Sequence, residues 1–217
     1  MLATTTLATR PAHAETAGSI ALATQDIYRG DQASEGDPVV TLGLHHEEVS
    51  GFYVGVTVTA ALDQGTVRLA SGSQYAGYSF PIGSTTMDLG VIHRTFRKDY
   101  SDEYTPDFAE AYAGITHGGL SVRIFLSPKY VPGRFSAYTE ADAEIYHHRG
   151  WSLSSQVGLR LTSTTGPPIT TETTKLDGSL RLEKTIGRLS LGATLTDVAA
   201  KGGIEAPRIA IAANLAF

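Results

Sequence analysis

The last ten residues of the chain, 208–217, alternate strictly between two kinds of side chain. Every second residue is apolar: Ile209, Ile211, Ala213, Leu215 and Phe217. Successive side chains of a β-strand point to opposite faces of the sheet, so this alternation predicts a strand with one apolar and one small or polar face. An apolar-faced strand that stops on an aromatic residue is typical of bacterial outer-membrane barrels. We therefore expect Phe217 to be the assembly signal that the barrel-insertion machinery reads.

The rest of the chain consists of similar segments. From Gly18 onward no amphipathic helix is predicted, and short alternating runs are separated by clusters of turn residues. Twelve strands are predicted, over residues 19–29, 38–46, 52–61, 71–80, 85–97, 107–116, 120–127, 137–146, 151–163, 172–184, 188–196 and 208–217. Most are about as long as the roughly 9–11 residues that a tilted strand needs to cross a bilayer.

The predicted connections alternate between long and short. Six longer loops fall on one side, at 30–37, 62–70, 98–106, 128–136, 164–171 and 197–207, and five tight turns fall on the other. Outer-membrane barrels show this asymmetry, with long external loops and short periplasmic turns. A soluble β-sandwich gives no reason for such strict alternation. The sequence therefore predicts an all-β fold, a transmembrane up-and-down antiparallel β-barrel of twelve strands in the outer membrane of a Gram-negative bacterium.

Composition narrows the functional classes. The net charge of −5 argues against nucleic acid as a partner. No apolar run approaches the roughly 20 residues of a membrane helix, which excludes an α-helical membrane protein. The absence of cysteine suits export through an oxidising periplasm. The expected partners are instead outer-membrane lipid and lipopolysaccharide, the barrel-insertion machinery and small polar solutes, and no cofactor is expected.

The N-terminal segment predicts a processing site. Residues 11–14, Pro-Ala-His-Ala, contain an A-x-A pattern of the kind that precedes signal-peptide cleavage. The residues before it are too few and too rich in threonine for a complete signal peptide. We expect residues 1–14 to be a signal-peptide remnant or a disordered N-terminus, and residues 15–217 to form the barrel domain.

If the apolar register faces lipid, the other register faces the interior of the barrel. Fourteen charged residues fall on that register and are candidates for lining a pore: Arg29, Asp88, Arg94, Glu110, Arg123, Glu140, Asp142, Glu144, Arg160, Lys175, Asp177, Arg181, Glu183 and Arg208. Charges in a membrane span are costly unless they face water or one another. Their confinement to one register supports the barrel.

These charges allow two hypotheses about the interior. Acidic residues concentrate on the strand 137–146 and basic residues on its neighbours, so opposed walls would orient polar solutes across a constriction. Alternatively, the charges pair into an ionic plug that closes the barrel, because twelve strands lie between small filled barrels and roughly 16-stranded open porins. The interior set holds no aromatic ladder, so the sequence names no solute.

Three short segments show a more specific pattern: 25–30 (Gln-Asp-Ile-Tyr-Arg-Gly), 50–56 (Ser-Gly-Phe-Tyr-Val-Gly-Val) and 110–114 (Glu-Ala-Tyr-Ala-Gly). With 36–38, 75–78, 127–130 and Phe217, their order and spacing resemble the TorF-type porin family over nearly the whole chain after residue 14. The family pattern places an acidic residue and then an aromatic one before Arg-Gly, and the order of Gln25 and Asp26 departs from it. The resemblance implies an outer-membrane barrel that acts as a pore, and it names no substrate.

Other chemistry is less well supported. The pairs His45-His46 and His147-His148 suggest a metal site, but neighbouring strand residues point to opposite faces, so each pair offers one ligand per face. Anchoring at the membrane interface is the favoured role. An outer-membrane hydrolase would need a Ser–His pair with an orienting group, or a His with carboxylates, and no such motif stands out. The chain is therefore predicted to be no enzyme.

Overall fold

The computed structural model describes residues 14–63, 65–97, 105–163, 173–200, 203–204 and 206–217. In these ranges the chain forms strands joined by turns and short loops, and it contains no helix long and apolar enough to cross a membrane. The predicted leader remnant, except for its last residue, lies outside the described residues.

Fifteen strands follow one another in the described ranges. They are β1 (Glu15–Ala23), β2 (Ile27–Tyr28), β3 (Asp31–Gln32), β4 (Val39–Glu47), β5 (Phe52–Asp63), β6 (Thr66–Ile82), β7 (Thr85–Phe96), β8 (Asp107–His117), β9 (Leu120–Val131), β10 (Arg134–His148), β11 (Trp151–Ser163), β12 (Thr173–Ile186), β13 (Leu189–Ala200), β14 (Gly203–Ile204) and β15 (Arg208–Ala216).

All of these strands except β2, β3 and β14 form one closed barrel. Each pairs antiparallel with the next barrel strand, and β1 pairs with β15 to close the ring, from Ser19 opposite Ala216 to Ala23 opposite Ala212. A closed ring leaves no strand edge, which matters where lipid cannot satisfy backbone N–H and C=O groups. The predicted twelve-stranded antiparallel barrel and its closure between the first and last strands are confirmed.

The outer face of the barrel is an apolar belt. Large hydrophobic side chains are exposed on every barrel strand, for example Leu42 on β4, Val91 on β7, Val157 on β11 and Ile211 on β15. Soluble monomers rarely expose apolar patches this extensive, whereas a bilayer would cover them. The side chains that alternate with these residues point into the interior of the barrel.

Two of the predicted long loops are wrong, because the strands continue through them. β5 and β6 meet at a tight turn between Asp63 and Thr66, and β9 and β10 meet between Val131 and Arg134. Within the predicted loop 62–70, Val67 and Leu69 continue the outward apolar register of β6. The turns are made by Gly65 and Gly133, whose positive φ angles of 86° and 67° suit tight hairpins.

The predicted first strand, 19–29, is also wrong at its C-terminal half. β1 ends at Ala23, and the chain then forms the short hairpin of β2 and β3. Arg29 therefore lies on a hairpin and not on a barrel strand.

Candidate functional site in the barrel interior

The hairpin β2–β3 folds into the barrel. Its turn is formed by Arg29 and Gly30, with φ angles of 49° and 83°. Two consecutive positive φ angles are the mark of a type I′ turn, whose twist matches that of a two-residue hairpin. Both turn residues are buried, because they contact side chains on the inner face of the barrel wall. We call residues 24–38 the inner loop.

Arg29 is held by Glu110 of β8. The guanidinium donates two parallel hydrogen bonds to the carboxylate, 2.8 Å to Oε1 and 2.9 Å to Oε2. Arg94 of β7 lies 3.5 Å from the same carboxylate. The guanidinium of Arg29 also lies over four aromatic rings, 4.0–5.4 Å from the centroids of Tyr28, Phe125, Tyr130 and Tyr138. Charge-assisted bidentate bonds and cation–π contacts both gain strength away from water.

The rest of the hairpin tip is tied to the opposite wall. Asp31 accepts a hydrogen bond from Lys175 of β12, and Arg160 of β11 lies 3.5 Å away. Arg208 of β15 donates to the carbonyl oxygen of Gly30. The inner loop leaves the wall between β1 and β4, so these contacts carry it across the interior. The residue pattern predicts Asp31 in an external loop and does not indicate this contact, because a loop that folds inward has no local signal.

A second ionic cluster lies further along the wall. Arg123 of β9 donates to Asp88 of β7 at 3.0 Å and lies 3.7 Å from Glu140 of β10. Gln156 of β11 donates to Glu140 at 3.2 Å. The hydroxyl of Tyr53 donates to Asp88. All of these residues face inward. Arg123 and Glu140 are directly opposed on adjacent strands, whereas Asp88 is reached from two strands away, by Tyr53 across Gly77 and by Arg123 across Gly114.

The acidic residues predicted on one strand sit in three different environments. Glu140 is buried, and Asp142 stands opposite Gln156 in the partly buried middle of the wall. Glu144 is exposed at the short-turn end, where its carboxylate lies 3.4 Å from Nδ1 of His147. Only Glu140 therefore takes part in the central cluster.

The last three candidates are on β12. Asp177 accepts a hydrogen bond of 3.0 Å from Tyr138, and Arg181 donates to Glu183 on the same inward register. Of the fourteen predicted residues, thirteen lie on barrel strands and Arg29 lies on the inner loop. Whether they line a conducting pore stays a prediction.

Acidic and basic side chains lie together on one half of the wall, β7 to β12. The inner loop and Arg208 add further charges beside this half. Arg123 of β9 pairs with Glu140 on the adjacent strand β10 and, across Gly114 of β8, with Asp88 on β7. The geometry is therefore one of interleaved ion pairs and differs from the predicted arrangement of opposed acidic and basic walls. The physical reason is that adjacent strands, and strands separated by a glycine such as Gly114, bring opposite charges within pairing distance.

The other half of the wall carries short side chains. On β13, β15, β1, β4 and β5 the inward register is mostly Gly, Ala, Ser and Thr: Gly192, Thr194, Ala210, Ala212, Ser19, Ala21, Thr41, Gly43, Thr57 and Thr59. Thr57, Thr194 and Ser19 are only partly buried although they point inward. Space for water therefore lies along this half, which we call the small-residue wall.

Aromatic side chains also point inward, contrary to the expectation that the interior holds no aromatic ladder. His45, Tyr53, Tyr75 and Tyr112 lie on β4, β5, β6 and β8. Neighbouring ring centroids are 5.9 Å apart for His45 and Tyr53 and 6.2 Å apart for Tyr53 and Tyr75. The hydroxyl oxygens of Tyr53 and Tyr112 are 2.5 Å apart. We call these four residues the aromatic arc. The sequence signal was available, since the three tyrosines fall on the non-apolar register.

Two comparisons with known proteins bear on this barrel. KdgM porin shares the fold with a TM-score of 0.57 at 12% identity, over 93% of this chain and 99% of that chain. The structure of KdgM porin in complex with disordered oligogalacturonate gives 0.55 at 11%, over 93% and 99%. At such identities the likeness shows the fold alone. None of the curated proteins matches the chain by sequence.

A family model also matches most of the chain. It describes a bacterial protein of unknown function, Gcw_chp, and it aligns with residues 8–205. That range takes in the inner loop, the ionic clusters, the aromatic arc and every barrel strand before the last. The chain therefore belongs to the Gcw_chp family of bacterial proteins.

Proposed function

We propose that this protein is a porin-like barrel of the bacterial outer membrane, through which small polar or charged solutes diffuse. One observation carries the proposal. The strands form a closed ring whose outward side chains make an apolar belt and whose inward side chains include ion-paired charges. The fold shared with KdgM porin and the motif resemblance to TorF-type porins both support it. Lipid and lipopolysaccharide would contact the belt, and the barrel-insertion machinery would read Phe217.

The solute path in this proposal follows the small-residue wall. Bulky charged and aromatic side chains fill the half of the interior formed by β7 to β12, whereas Thr57 and Thr194 on the other half stay partly accessible. The inner loop crosses the interior and narrows the passage at the level of Arg29 and Glu110. A solute would therefore pass between the inner loop and the small-residue wall.

The inner loop also favours a second candidate, a closed barrel without conductance. Its tip is tied to β8 through Glu110, to β12 through Lys175 and to β15 through Arg208. Contacts on three sides would suit a plug as well as a constriction. In that case the barrel would have a structural or binding role.

Single-channel recording in a planar bilayer tests the proposal. We expect reproducible conductance steps for the purified wild-type protein, and larger steps when residues 25–35 are replaced by a short Gly-Ser linker. The matched control is Glu48→Gln, at a short turn outside the interior, which should conduct like the wild type. A silent wild type with a conducting loop variant would support the plug, and silence of both would overturn the porin proposal.

A further inference from the structure

The aromatic arc lies flat against the inner wall because glycine underlies each tyrosine. Tyr53 covers Gly77, Tyr75 covers Gly55 and Tyr112 covers Gly90, so closely that a Cβ atom at any of these glycines would overlap the tyrosine. The hydroxyl end of each ring therefore lies over the adjacent strand, and the Tyr53 and Tyr75 planes are tilted by 58° to one another. All three rings are only partly buried, so part of each ring is accessible, although Arg123 lies over the Tyr112 ring, 5.4 Å from its centroid.

Hydrogen-bonding groups border the arc. His45 Nδ1 lies 3.2 Å from the hydroxyl of Tyr75. At the other end, the hydroxyl of Tyr53 donates to Asp88 and lies 2.5 Å from the hydroxyl of Tyr112, and Asp88 also accepts a bond from Arg123. The arc thus combines flat apolar faces with donors and acceptors along its edge, the combination that fixes a ligand's position in many small-molecule sites.

We propose that the aromatic arc is a binding strip for neutral oligosaccharides in the interior of the barrel. A pyranose ring has an apolar C–H face that can stack on an aromatic ring, and hydroxyls at its rim that can bond to Asp88, Arg123 and the tyrosine hydroxyls. Rings side by side along a wall suit an extended chain of such units. The inference rests on the proposed function, since it requires a solute-accessible interior.

The charges near the arc distinguish neutral sugars from ionic ligands. Arg123 is shared between Asp88 and Glu140, and Asp142 adds a further carboxylate on the same wall. The excess of carboxylates at the Asp88 end of the arc disfavours a polyanionic sugar there. A compact cation would instead need rings arranged around a point, whereas the planes of Tyr53 and Tyr75 meet at 58° along a row.

Equilibrium binding tests the inference independently of conductance. Maltohexaose would be titrated into the detergent-solubilised protein in a calorimeter, with oligogalacturonate and choline as competing probes. We expect maltohexaose alone to bind, and Tyr75→Leu and Tyr112→Leu each to weaken binding about tenfold or more. Tyr75→Phe keeps the ring and should retain most of the affinity, which guards against misfolding as the cause of a loss.

The matched control is Tyr78→Leu, on the same strand but on the outer face, where Tyr78 is 45% exposed. It should bind maltohexaose like the wild type. The inference is overturned if maltohexaose does not bind, if Tyr78→Leu weakens binding as much as Tyr75→Leu, or if choline or oligogalacturonate binds in its place. If maltohexaose binds to a protein that does not conduct, the proposed binding strip is supported and the porin proposal fails.

Discussion

Arg29 and Glu110 are joined by two parallel hydrogen bonds, 2.8 and 2.9 Å long, although they lie 81 positions apart in the chain. Both side chains are almost fully buried, with 4% and 1% of their surface exposed. One partner is on the inner loop and the other on β8, so this pair fastens the inner loop to the wall. The stability of the barrel and the width of its interior are therefore linked.

Breaking this pair should destabilise the protein. Glu110→Gln leaves the Arg29 cation buried without its carboxylate, which costs about 3–5 kcal/mol in comparable buried pairs. We expect a lower free energy of unfolding in urea and, because the inner loop is released, a larger conductance. The double variant Arg29→Met with Glu110→Met should recover much of the stability, since the buried Arg29 charge is gone and only the less buried Arg94 loses its carboxylate partner. Equal stability of Glu110→Gln and the wild type would show that the pair does not hold the loop.

Removing the interior carboxylates should change ion selectivity. With Glu140, Asp142 and Glu144 replaced by Gln, Arg123 and Arg181 face fewer negative charges, and anions should be favoured. The reversal potential in a salt gradient across a planar bilayer measures this shift. Glu144→Gln alone should have the smallest effect, because Glu144 is exposed at the short-turn end. An unchanged reversal potential in the triple variant would mean that ions do not pass this cluster.

Deleting Phe217 should impair assembly. Its backbone N–H donates to the carbonyl of Gly18 at 2.9 Å and its carbonyl accepts from Gly18 at 2.8 Å, so it completes the seam between β1 and β15. Its ring also covers Gly18. We expect less protein in the outer membrane, more in the periplasm, and loss of the heat-modifiable band on a gel. Wild-type levels of heat-modifiable barrel after the deletion would refute the role of Phe217 as an assembly signal.

Filling the space under Tyr53 should strain the wall. A Cβ atom at Gly77 would overlap the Tyr53 ring and lie 2.8 Å from the carbonyl oxygen of Leu89. Gly77→Val should therefore destabilise the barrel by about 1–3 kcal/mol, the usual cost of overpacking. Gly72→Ala on the same strand is the control, since its nearest neighbour would be 3.5 Å away and ordinary contact results. Urea unfolding in detergent compares the two, and equal stabilities would argue against the ring-over-glycine packing.

Most of the barrel could be predicted from local pattern. Alternation with period two predicted the observed bounds of β11, 151–163. It also predicted that the apolar residues of β15 lie on the outer face of the barrel. The pattern is reliable because each residue of a transmembrane strand faces either lipid or the interior, and the two environments select different side chains. It was less reliable at strand ends, where Gly65 and Gly133 indicate a turn but do not show how far the strands extend beyond the membrane.

The sequence by itself thus determined the fold class, the strand number, the closure and the inward register of the charges, because these follow from the alternation of neighbouring residues. Only the tertiary structure decided that a loop enters the interior and which interior side chains meet. The inner loop, the Arg29–Glu110 pair and the contacts of Asp31 join segments that are remote in the chain, and no local pattern specifies which distant strands will surround a loop. The aromatic arc also depends on tertiary structure, since each tyrosine lies flat only because the adjacent strand places a glycine beneath it.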